Sequence, residues 1–147
     1  MAQGDIVLYN DFKERLALGG HNLSTDTIKV ILVSSYTPNI DTHQVLADVV
    51  ANEYATSAGY TAGGKTLGSK TVTQDNTNDR MAWDAADITW AALGPLSPAS
   101  PSHAIIYNDT PTSPADPLIG YIVLGSVVTD GSDLTLALNS IGILTLT

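Results

Sequence analysis

The chain contains no cysteine. Disulfides and thiolate metal sites are therefore excluded, and stability has to come from burial, hydrogen bonding or assembly with other chains. Cations are scarce as well: four Lys and two Arg stand against thirteen Asp and two Glu, a net charge of −9. Such a surface repels phosphate backbones and supplies few of the cations whose counterion release drives nucleic-acid binding, so no nucleic-acid partner is expected. No apolar run approaches the roughly 20 residues that a membrane-spanning helix needs. Residues 1–11, MAQGDIVLYND, have neither the basic nor the apolar region of a secretion signal. No membrane partner is expected, and synthesis in the cytoplasm is.

The excess of Asp over Glu is itself informative. Asp, Asn, Ser, Thr and Gly favour turns and caps, whereas Glu, Lys and Ala favour helix interiors, so the polar residues of this chain belong largely to turns. Its 147 residues suit one domain, 1–147, with enough chain to bury a real core. Residues 1–20 read as an N-terminal arm and a short helix: Asn10 is placed to cap, Phe12 and Leu16 share a face with Leu8, and Gly19-Gly20 stop it. Residues 27–33, Thr-Ile-Lys-Val-Ile-Leu-Val, are mostly apolar and β-branched, the pattern of a central strand covered on both faces. After Tyr36-Thr37-Pro38, Asp41 or Thr42 is placed to cap a second short helix. It would carry Val45, Leu46, Val49 and Val50 at helical spacing and turn Asp48 toward solvent.

From residue 60 onward the apolar period shifts to two, and short strands or extended connections are expected over 60–67, 69–73, 80–84, 87–91, 104–107, 118–124, 133–138 and 143–147. The polar run 74–79 reads as an exposed turn, and the proline-punctuated stretches 94–101 and 111–117 read as surface loops. With no solenoid repeat or low-complexity linker, about seven to nine strands and two helices are expected. The fold class is mainly β, a single-domain β-sandwich or barrel-like fold with one or two short peripheral helices.

Motifs for chemistry are weak. His21, His43 and His103 lie in unrelated contexts without metal-ligand spacing. The run Asp75-Asn76-Thr77-Asn78-Asp79 lacks the glycine and the distal glutamate of an EF-hand and reads as a turn. Gly59 to Thr66, GYTAGGKT, departs from the P-loop pattern by one residue between glycines and lies among extended segments, where the lysine cannot open a helix. The carboxylate pairs Asp84 with Asp87, and Asp130 with Asp133, occupy turn-like settings, and Gly-x-Ser-x-Gly is absent. Trp83 and Trp90 could stack on a sugar ring, but core positions suit them better. No catalytic, cofactor-binding or metal-ligating residue is assigned, no cofactor is expected, and no enzymatic activity is expected.

Six segments then carry a resemblance: Tyr9-Asn10-Asp11-Phe12-Lys13; Asp26-Thr27-Ile28-Lys29-Val30; Tyr36-Thr37-Pro38 followed by Asp41-Thr42-His43; Gly59-Tyr60-Thr61-Ala62-Gly63-Gly64; Leu118-Ile119-Gly120-Tyr121; and Asn139-Ser140-Ile141-Gly142-Ile143-Leu144. In this order, over nearly the whole chain, they resemble small virion structural proteins of tailed bacteriophages. The resemblance implies a capsid decoration or cement protein on the outer surface of the head, clamping neighbouring major capsid subunits. It also implies a homo-oligomer, a dimer or trimer, made in the host cytoplasm, and it offers no catalytic residues. The strand expected over 143–147 is a candidate to pair across a subunit boundary, and the proline-rich loops and N-terminal arm are candidate capsid contacts. The alternative is a tail or head-fibre component that binds host-surface carbohydrate through exposed Trp83, Trp90, Tyr60 and Tyr107. A hydrolytic virion enzyme using Asp84 or Asp87 is a third reading.

Overall fold

The computed structural model describes residues 5–147; the first four residues of the expected N-terminal arm lie outside that range. In chain order the elements are β1 (Val7–Leu8), α1 (Asn10–Ala17), β2 (Ile28–Val33), β3 (Lys65–Thr66), β4 (Thr71–Asp75), β5 (Arg80–Asp84), β6 (Ile88–Trp90), β7 (His103–Asn108), β8 (Leu118–Val123), β9 (Leu134–Leu136) and β10 (Leu144–Leu146). They form a mainly β fold of antiparallel sheets: a five-stranded sheet β1-β8-β7-β2-β3, a three-stranded sheet β10-β5-β4 and a two-stranded sheet β6-β9.

The expectation for residues 27–33 holds. β2 is paired on both sides, with β7 from Ile28↔Asn108 to Val33↔His103 and with β3 at Lys29↔Thr66 and Val30↔Lys65. Its alternation divides the molecule. Ile28, Val30 and Leu32 enter the main core with Ala104 and Ile106, while Ile31 and Val33 enter a second core with Ile105 and Tyr107 on the opposite face. Each such aliphatic side chain contributes roughly 1.5–3 kcal/mol relative to exposure. The main core also takes Trp83 and Leu144 from the three-stranded sheet and Ile88, Trp90 and Leu136 from the two-stranded one. The two smaller sheets therefore pack over one face of the large one, and the layering is that of a sandwich.

At the N-terminus, β1 pairs with β8 at Val7↔Tyr121 and Leu8↔Gly120, so the arm is sheet from Val7 onward. α1 buries Phe12 in the main core, while Tyr9 just before it enters the second. Asn10 does not cap the helix; its amide donates to Asp41 Oδ1 (2.6 Å) and its carbonyl accepts from Lys13 Nζ. The glycine stop is as expected: Gly20 N–H bonds Arg15 O (2.7 Å) and Gly19 N–H bonds Leu16 O, with Gly19 at φ 79°. This pattern satisfies helix-terminal carbonyls and needs the left-handed region at Gly19.

The second helix is replaced by two 3-10 turns, Leu46–Asp48 and Val50–Asn52. Asn39, not Asp41 or Thr42, closes the preceding turn by accepting from both their N–H groups, and Asp48 reaches back to the N–H groups of Gln44 and Val45. The β-branched Val45, Val49 and Val50 disfavour a continuous α-helix, and bridges Val33↔Glu53 and Val45↔Pro117 hold the segment extended at its ends. This segment covers the second core with Tyr36 and Val49, and Ile40 and Leu46 pack against it.

Over residues 60–67 only Lys65–Thr66 is strand; Tyr60 bridges to Ser57, residues 62–63 form a turn and the rest is irregular. Gly64 explains this: at φ 80°, a Cβ there would lie 2.0 Å from Val30 O. The turn expected over 74–79 is shorter: Gln74 and Asp75 belong to β4, and the exposed residues 76–79 form the loop of the β4–β5 hairpin, registered from Thr71↔Asp84 to Asp75↔Arg80.

Candidate interaction surface

The residues that could carry chemistry are engaged in holding the fold. His21 is buried; its Nδ1 accepts from Asn108 Nδ2 (3.1 Å), which also donates to Asp26 Oδ2 (2.7 Å). Burial lowers the His21 pKa below the usual histidine value. His103 lies against Tyr36 and Tyr121, and burial lowers its pKa too. His43 Nδ1 accepts the backbone N–H of Asn39 (3.3 Å), so the Tyr36 hydroxyl at 2.7 Å donates to it as well, and Tyr9 Oη at 2.8 Å donates in turn to Tyr36. His43 and His103 thus share Tyr36 as a neighbour, their rings 5.5 and 5.4 Å from its ring, and only His21 sits apart, beside Phe12 and Asn108. No group of three or more His, Asp or Glu is arranged to hold a metal ion among the described residues.

The glycine segment already contains an anion. Glu53 Oε1 accepts the Gly63 N–H (2.6 Å) and the Tyr60 hydroxyl (2.8 Å), while Tyr107 donates to Gly63 O (2.7 Å). Lys65 Nζ goes to Thr89 O (2.6 Å). The donors that a phosphate would need are committed within the chain, Gly63 N–H and the Tyr60 hydroxyl to the Glu53 carboxylate and Lys65 to a backbone carbonyl.

The acidic residues close turns. Asp75 accepts from Thr77, Asn78 and Arg80, and these bonds, led by the Asn78 amide, hold its carboxyl below the usual range. Asp84 caps Ala85, Asp87 ties to Leu138 N–H, Asp130 to Ser132 and Asp133 to Ala92. One acidic pair escaped the sequence reading. Burial, and then its neighbour Asp109, raise the Asp116 pKa, and Asp109 bridges to Lys29 at 2.7 Å. The signal was topological: these residues flank the connection between adjacent strands β7 and β8, whose ends must meet.

All four aromatics named for sugar stacking are interior, a correction to the carbohydrate reading. Trp83, Trp90, Tyr60 and Tyr107 are at most 2% exposed. They lie on positions facing the cores, and Trp83 donates to Leu23 O (3.1 Å). The proline-rich loop over 94–101 is also less free than expected, since Leu93 and Leu96 are buried and Thr129 Oγ1 joins Leu96 N–H to Ala99 O.

What remains open is a strand edge. β10 pairs with β5 from Leu144↔Trp83 to Leu146↔Met81, and among the described residues no strand lies on its other side. Beside it runs an apolar groove of about 330 Å³ lined by Leu8, Phe12, Lys13, Leu16, Ala17 and Leu146. Leu146 is 46% exposed. No helix among the described residues is long and apolar enough to cross a membrane. Comparison with family models, curated proteins and solved structures finds no match.

Proposed function

We propose that this chain is a structural protein of a tailed-phage particle: a capsid decoration protein that binds the outer surface of the head and clamps neighbouring major capsid subunits. The reading rests on the six ordered segments that resemble virion proteins. Residues of three of them converge in the fold, with Tyr9, Tyr36 and Leu118 in the second core and Tyr121 packed against it. The resemblance thus falls on positions that determine architecture. A structural role also suits the commitment of the histidines and carboxylates to internal bonds, which leaves turns and a strand edge as the outward features.

The physics of a clamp is compatible with this body. A ligand that binds only the assembled shell stabilises it by mass action, and many copies make a modest interface effective. An acidic exterior protein avoids the packaged DNA. The carbohydrate alternative has lost its four named platforms to the core.

Co-sedimentation of the purified protein with expanded heads tests the proposal. Saturable binding at a fixed ratio to the major capsid subunit is expected, with regular density on the outer shell in cryo-electron microscopy of the virion. Indifference to every capsid form, or density confined to the tail, refutes it.

A further inference from the structure

We propose that Tyr36 is a site of one-electron oxidation, with His43 as the base that takes its proton and a small inorganic radical oxidant as the reactant. The hydrogen bonds over the second core carry this inference, independently of the capsid reading.

The six tyrosines of the chain differ in what their hydroxyls meet. Tyr54 donates to Pro98 O and Tyr107 to Gly63 O, carbonyls that cannot hold a proton, and Tyr9 donates to the Tyr36 hydroxyl. Tyr60 donates to Glu53, whose same oxygen already serves the Gly63 N–H. Among the described residues only Tyr36 donates to a nitrogen base, His43 Nδ1 at 2.7 Å. An imidazole is a stronger base than a carboxylate by about two units. Tyr36 is buried, and burial raises its pKa above the ordinary tyrosine value. The phenol is therefore neutral when an electron leaves it, and its proton, made strongly acidic by that loss, needs an acceptor already in place.

The step balances within the cluster. One electron passes from the Tyr36 ring to the oxidant, which is reduced by one electron. The Oη–H bond breaks and the proton forms an N–H bond at His43 Nδ1, leaving a neutral phenoxyl radical beside an imidazolium. Three features stabilise these products. Tyr9 continues to donate to the phenoxyl oxygen from 2.8 Å. The Asp48 carboxylate, held ionised by the Gln44 and Val45 N–H groups, is close enough for its charge to couple to that of His43. Asn39, whose N–H loses its acceptor at Nδ1, is exposed, so water replaces that bond. The hole also has a way in, because the half-buried Tyr121 has its ring centroid 6.5 Å from that of Tyr36.

Flash oxidation of the native chain by photogenerated tris(bipyridine)ruthenium(III) tests the proposal. A phenoxyl radical is expected in the optical and electron paramagnetic resonance spectra, and it should form more slowly in heavy water, because proton transfer accompanies electron loss. Tyr36→Phe should lower its yield by about tenfold, and His43→Phe, which keeps all six tyrosines, should slow its formation by about tenfold. Tyr54→Phe should match the native chain. Trapping the native radical with nitrogen dioxide, followed by peptide mapping, should place most of the nitrotyrosine at Tyr36, a readout that depends on no substitution. Formation at the native rate in a folded His43→Phe variant, a yield unaffected by Tyr36→Phe, the same rate in heavy water, or a nitrotyrosine majority at the more exposed Tyr121 overturns the proposal.

Discussion

Glu53 accepts the backbone N–H of Gly63 at 2.6 Å, across a ten-residue loop, while the same oxygen takes the Tyr60 hydroxyl. One carboxylate thereby closes a turn and fixes a buried tyrosine whose hydroxyl also receives the Leu32 N–H.

Replacing this hub should be costly. Glu53→Ala removes a charged acceptor from two donors and should destabilise by about 2–3 kcal/mol. Glu53→Gln, which keeps an acceptor oxygen, should lose less. Urea unfolding of both variants measures the difference, and equal losses would argue against the hydrogen bonds as the cause.

Gly64 should tolerate no side chain. A Cβ would meet Val30 O at 2.0 Å, a backbone atom that cannot swing aside, and at a positive φ, so Gly64→Ala should destabilise by more than about 3 kcal/mol or prevent soluble expression. Gly63→Ala isolates the conformational cost, because φ is 92° there but nothing lies within 4 Å of a Cβ; it should be the milder change in thermal melting.

Stability should fall as pH drops below the ordinary histidine pKa of about 6.5. His21 and His103 are held below that value chiefly by burial, so the unfolded chain binds more protons than the folded one in this window. Their contribution is complete above about 6.5 and is lost as pH falls through the folded values. His21→Leu should lower stability at neutral pH through the loss of the Asn108 contact and flatten the slope below about pH 6.5. An unchanged slope would refute the assignment.

Asp48 should matter through its two backbone contacts. Its carboxylate accepts from Gln44 and Val45, and these bonds depress its pKa. The contribution is present above about pH 3.9 and lost on acidification below it. Asp48→Ala should cost about 1 kcal/mol, in the range of a lost cap, with Asp48→Asn intermediate. Chemical denaturation at neutral pH checks both.

Sequence patterning located the strands better than the connections. Residues 27–33 announced a two-sided strand because five aliphatic residues divide between two cores, and the hairpin at 74–79 was readable because Asp, Asn and Thr close turns locally. The second helix failed because its apolar spacing suited a helix while bridges at Val33↔Glu53 and Val45↔Pro117 imposed another geometry. Long-range pairing of that kind leaves no local trace. The open edge at β10 was half legible: composition marked an uncharged terminal strand, but only the sheet order leaves one side of it unpaired. Trp83 and Trp90 were placed correctly in the core by burial tendency, whereas Tyr60 and Tyr107, offered as exposed, are buried because their hydroxyls find Leu32, Glu53 and Gly63.

The segment over the second core is closed at its base and pinned again farther out, where Leu46 N–H bonds Asp116 O (2.9 Å), Leu118 N–H bonds Gln44 O (2.9 Å) and Asn10 N–H bonds Ile40 O (3.1 Å). Ser34 N–H bonds Asn52 O (2.9 Å), the Asn52 amide returns to the carbonyls of Ser34 and Ser35, and Tyr54 N–H bonds Leu32 O. Everything between forms a loop closed at its base and packed on a face of the sheet that the main core does not share. Such a flap opens as one cooperative unit only when its bonds to Asp116, Leu118 and Asn10 break with it, while the main core stays folded. Amide exchange should therefore separate into two tiers, with the N–H groups of His43, Asp48 and Val49 exchanging together and well ahead of those in β2 and β7.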